Sequence, residues 1–108
     1  MVTKALLVPL DALPGKEAEL SASLTSARSI VMDEPGSTDW FAIQFRPASF
    51  GVFDEFPDDD ARNAHLASGV DQALGSNIGV LFSEPKIEMI DVLADKLPAS
   101  GQDSDGRD

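Results

Sequence analysis

Two hydrophobic rhythms run along this 108-residue chain. In "LPGKEAELSASLTSARSIVMDEPG", residues 13–36, Leu20, Leu24, Ala27 and Val31 recur at steps of four, three and four. That spacing is the apolar stripe of an amphipathic helix. Pro14 and Gly15 open it, Glu17 puts a carboxylate in its first turn, and Pro35-Gly36 close it. A second helix is predicted over 58–75, "DDDARNAHLASGVDQALG", with Asp58 as its N-cap and Gly75 as its stop. Its expected core stripe is Leu66, Val70, Ala73 and Leu74. The adjacent Asp58, Asp59 and Asp60 suit the positive end of a helix dipole.

Strands are predicted at 3–10 (TKALLVPL), 38–46, 49–56 and 86–93, with the two middle strands joined by the short Pro47-Ala48 connection. Between the second helix and the last strand, "SNIGVLFSEP" reads as a turn or loop carrying Val80, Leu81 and Phe82. From Pro98 onward the residues are small, polar and acidic, so we expect one domain over 1–97 and an unstructured acidic tail over 98–108. The order β-α-β-β-α-β is that of a ferredoxin-like α+β fold, a four-stranded antiparallel sheet with two helices on one face.

The middle strands depart from the usual alternation. "DWFAIQFRPASFGVFDEFPDDD", residues 39–60, contains the only Trp and five of the six Phe, and its apolar residues occupy odd and even positions alike. A sheet covered on one face and wet on the other alternates apolar with polar. Apolarity on both parities leaves a patch that soluble monomers avoid, so the expected solution is a homodimer packed sheet to sheet.

Composition narrows the chemistry. There is no Cys and a single His, which removes thiolate nucleophiles, Cys-based metal sites and multi-His centres. Three adjacent carboxylates on one helical turn make no metal site by themselves, so no metal or cofactor is expected. The formal charge of −11, with no Lys/Arg cluster, argues against nucleic acid as a partner. No segment approaches the roughly 20 apolar residues of a membrane span, and the N-terminal apolar run is broken by Pro9, so the expected location is cytoplasmic.

"PGKEAELSASL", "DEPGSTDWFAIQF" and "FGVFDEFPDDDARNAHLAS" resemble, in order and spacing, the antibiotic biosynthesis monooxygenase superfamily, and the similarity covers roughly residues 3–97. The E-P-G turn and the A-H-L step of the second helix are its most specific parts. The resemblance implies a dimeric α+β barrel with a pocket between sheet and helices. It further implies a cofactor-independent oxidation of a small aromatic or quinol-like compound by O2. Haem-degrading relatives would carry a ligand His about ten residues beyond the A-H-L step, where this chain has Gly75.

His65 matches the His of A-H-L, and imidazole is the one side chain whose ordinary pKa lies near neutrality, which makes it the catalytic candidate. A helical wheel centred on Leu66, Val70 and Ala73 puts it on the flank of the stripe, where a helix-edge His bonded to backbone or water is the plainer reading. Trp40, Phe53 and Leu66 are the expected pocket walls. Gln44 shares a parity with Trp40 and Ala42, and if buried it would need partners that a ligand oxygen or a dimer contact supplies. One of Asp54 and Glu55 is expected in a partly buried place, where desolvation would raise a carboxyl pKa; pairing of that carboxylate with Arg46 across the hairpin is the structural alternative. Asn63 and Arg62 border the A-H-L step, facing either a pocket mouth or solvent. The absence of Tyr leaves the pocket few polar handles and keeps open a second function, a non-catalytic dimeric module that binds a small apolar ligand or serves as a scaffold.

Overall fold

The computed structural model describes residues 2–33, 39–67 and 75–97. The elements are β1 (Lys4–Asp11), α1 (Glu17–Val31), β2 (Asp39–Arg46), β3 (Ser49–Phe56), α2 (Asp59–Leu66) and β4 (Glu88–Asp91). They form a four-stranded antiparallel sheet in the order β2-β3-β1-β4, so the ferredoxin-like α+β plan holds. The strand predicted over 86–93 contracts to four residues. It is an edge strand that pairs only with Lys4–Leu7 of β1. Val70, Ala73, Leu74, Pro35-Gly36 and the tail from 98 lie outside the described residues. Among the described residues no helix is long and apolar enough to cross a membrane.

Even-numbered residues of β1 and β3 point to the helices and carry the core. Val8, Leu10, Phe50 and Val52 pack with Leu20 and Leu24 of α1 and with Leu81 and Phe82 of the turn before β4. The predicted α1 stripe is therefore the buried one. Gly15, at φ +79°, makes the tight turn ahead of α1, a conformation glycine adopts without steric cost. Farther along the same face, Leu6 and Phe56 are essentially inaccessible, at 1% and 0% exposure. Each such burial contributes about 1.5–3 kcal/mol.

Odd-numbered residues face the other way, and among the described residues no helix covers them. Phe41 and Phe45 are half-exposed, and Leu7, Pro9, Ile43 and Phe53 are only partly buried. Phe41 and Phe53 stack at a tilt, with ring centroids 6.4 Å apart.

A register shift lies between Gln44 and Arg46. A strict two-residue connection with Arg46 opposite Ser49 would set Trp40 opposite Glu55. The shift leaves Phe45 without a partner and sets Trp40 opposite Asp54. Such a bulge inserts one extra residue and so exchanges the faces on which neighbouring strands agree.

Candidate functional site

The bulge places Trp40, Asp54 and Leu6 side by side on the covered face, as cross-strand neighbours of β2, β3 and β1. From above, α2 lowers His65 onto them. This helix starts cleanly because Asp58 caps it, its carboxylate accepting from the Ala61 N–H at 2.9 Å. Arg62 then holds the helix against the sheet. Its Nη1 donates to the carbonyls of Ala5 at 3.3 Å and Ile90 at 3.1 Å, and its Nη2 to Asp59 Oδ1 at 3.1 Å. One turn on from Arg62, three residues later, His65 faces inward.

His65 Nε2 lies 2.9 Å from Asp54 Oδ2, and the two side chains are 3% and 1% exposed. The Phe56 ring packs against the imidazole at 5.2 Å between centroids. The contact is an electrostatic approach rather than an aligned hydrogen bond, because Asp54 Oδ2 accepts no hydrogen bond among the described residues. Trp40 Nε1 is likewise buried, with no acceptor among the described residues. Buried donors and acceptors are nearly always satisfied. A buried N–H and a buried carboxylate oxygen, both without a hydrogen bond and on facing cross-strand residues, thus give this face both signs of hydrogen-bonding capacity.

The residues singled out in the sequence divide sharply. His65, Asp54 and Trp40 converge, with half-buried Leu66 beside His65 on α2. Gln44 does not join them: it is exposed, and its amide donates to the Pro47 carbonyl across the β2–β3 connection at 3.5 Å. Its parity is right, but the helix layer does not reach that end of the edge strand. Phe53 is odd-numbered and belongs to the open face, so it cannot wall a pocket under the helices. Asn63 points to solvent from the outer side of α2. Asp54 pairs with His65 rather than Arg46, whose guanidinium donates to Ser49 Oγ at the far end of the hairpin. The buried residues of α2 are Arg62 and His65, with Leu66 partly buried beside them, while Val70, Ala73 and Leu74 of the stripe built on Leu66 lie outside the described residues. The three-residue step from Arg62 to His65 was the available signal, and it reads as a polar face.

On the open face, Glu55 is pushed up to about 7, first by partial burial, then by its hydrogen bond to Asp39 and the charges of Asp39 and Asp95. Among the described residues no group of three His, Cys, Asp or Glu is arranged to hold a metal ion.

Known proteins bear on the architecture. A protein of unknown function from Nitrosomonas europaea is 47% identical over 92% of this chain and 97% of its own, with a TM-score of 0.87. A candidate antibiotic biosynthesis monooxygenase from Bordetella bronchiseptica superposes at a TM-score of 0.70 with 17% identity, over 87% of this chain and 100% of its own. Another from Chloroflexus aurantiacus gives 0.67 and 16%, over 87% and 96%. No family model matches the sequence, and no curated protein matches it.

Proposed function

We propose that the chain is a member of the antibiotic biosynthesis monooxygenase superfamily, whose candidate members share its fold, and that it oxidises a small aromatic or quinol-like compound with O2, using the buried Asp54–His65 pair as proton acceptor. The observation that carries this reading is the convergence of that pair with the unsatisfied Trp40 Nε1–H on the helix-covered face. A phenolic or enolic hydroxyl bound there loses its proton to the pair, and Trp40 donates a hydrogen bond to the oxygen left behind. Deprotonation makes the ring electron-rich enough to reduce O2. For an activated ring methylene, one oxygen atom enters as a carbonyl and the other leaves as water, with all four electrons drawn from the substrate. The apolar surroundings of Leu6, Phe56 and Leu66 keep bulk water from the carbanion.

The reading is tested by O2 uptake against a hydroquinone and anthrone panel. His65→Ala is expected to lose most of the catalysed rate, by about 10²-fold or more, the usual contribution of a positioned acid–base group. Uptake no faster than the uncatalysed background across the panel overturns the reading. The close approach of Asp54 to His65 also favours a second reading, a ligand-binding module whose buried pair is structural. In that case His65→Ala leaves ligand affinity and background oxidation unaltered while lowering stability. We further propose that the protein works as a homodimer through its open sheet face, on the strength of the partly exposed Leu7, Pro9, Phe41, Ile43, Phe45 and Phe53. The reading keeps the protein in the cytoplasm and independent of nucleic acid and membranes.

A further inference from the structure

We propose that self-association through the open face is proton-linked, with Glu55 of each protomer, set directly across the ladder from Asp39, holding a proton that the assembled form retains. The inference rests on the homodimer reading of that face. Asp39 and Glu55 are direct cross-strand partners of β2 and β3, and both point to the open side. They stand at the margin of the Phe41–Phe53 cluster, one same-face step along each strand. Like charges directly opposite each other in a ladder are destabilising, so the pair holds together best with one proton between them.

The charges acting on Glu55 are those of Asp39 on β2 and of Asp95 on the segment after β4, while β1 sets only Ala5 opposite it. Every one of these charges is negative. Partial burial, with the hydrogen bond to Asp39 and the charges of Asp39 and Asp95, already raises the Glu55 carboxyl to about 7. A second surface laid over the pair removes more water and pushes it in the same direction.

The occupant argued for is a second copy. Three strands of eight residues and one of four, at ~4.8 Å spacing and ~3.3 Å rise, give a footprint of roughly 440 Å². The relief of Phe side chains brings the accessible area toward the ~800 Å² that each partner contributes to a standard interface. Two identical sheets share one twist and pack aligned, and a two-fold axis covers both patches at once. The same axis doubles the number of carboxylates at the interface of a chain whose charge is already −11, which is the cost that the retained proton removes.

Sedimentation velocity at about pH 6 and about pH 8.5, on the full chain and on Glu55→Gln and Phe41→Glu, tests this; linkage sets the expected slope at roughly tenfold in Kd per pH unit for each proton taken up. The expected result is a dimer that weakens at the higher pH, a Glu55→Gln dimer that is tight at both, and loss of association in Phe41→Glu. A wild-type dimer equally tight at both pH values, or a pH dependence that survives in Glu55→Gln, overturns the proton linkage and leaves the interface standing. No association at either pH, or a dimer indifferent to Phe41→Glu, overturns the interface itself and the linkage with it.

Discussion

The two faces of this sheet are made from the same strands and nearly the same residue types, yet they hold opposite kinds of chemistry. The covered face encloses a carboxylate and an imidazole among apolar neighbours, where neither can be exchanged for water. The open face holds its carboxylates at the margin, where a proton can come and go. The difference teaches that the direction of the pleat decides the surroundings of two neighbouring carboxylates, one enclosed beneath a helix and the other at the margin of an open face. Asp54 and Glu55 are adjacent in sequence and divided only by the pleat.

The comparison is broken most directly by deleting matched aromatics. Phe56→Ala, on the covered face at 0% exposure, is expected to cost about 3–5 kcal/mol in urea unfolding. Phe41→Ala, half-exposed on the other face, should cost the isolated protomer under about 1 kcal/mol. Equal losses would mean that the open face is as much core as the covered one.

Next in size is the pH dependence of the open face. Glu55 is raised from 4.5 to about 7 in the fold, so its protonated form favours folding. That contribution is complete below about 4.5 and disappears as pH rises through about 7. Thermal unfolding across this window at concentrations too low for association should show stability falling with pH, and Glu55→Gln should lose that part of the slope.

The smallest effect is expected at Gly51. A Cβ there meets Phe45 Cε2 at 3.1 Å and the Val8 carbonyl at 3.4 Å, so Gly51→Ala must displace the tip of an exposed ring. We expect a change within about 1 kcal/mol in folding, the low end of overpacking, with a larger loss in self-association as Phe45 swings outward. A larger folding penalty would show that Phe45 is fixed by the protomer alone.

Much of the fold was legible in the chain because its signals are local. The Leu20–Leu24–Ala27–Val31 stripe, the Asp58 cap and the Pro47-Ala48 connection each specify their element within a few residues. The site was legible only in part. His65 and Trp40 stood out by scarcity, whereas Gln44 and Phe53 were drawn in by parity and composition, neither of which says where a helix layer ends or which face it covers. Arg62 looked like a solvated helix residue, because its two carbonyl partners lie on β1 and β4, 57 and 28 residues away.

What the sequence determined by itself is therefore the element order, the two-sided apolarity of residues 39–56, and the presence of one imidazole beside an A-H-L step. Which carboxylate meets that imidazole was settled only in three dimensions. The bulge at Phe45 adds one residue to β2, and one residue is the whole difference between setting Asp54 or Glu55 beside Trp40. A strand's faces alternate at every step, so a single register shift redistributes every side chain that follows it.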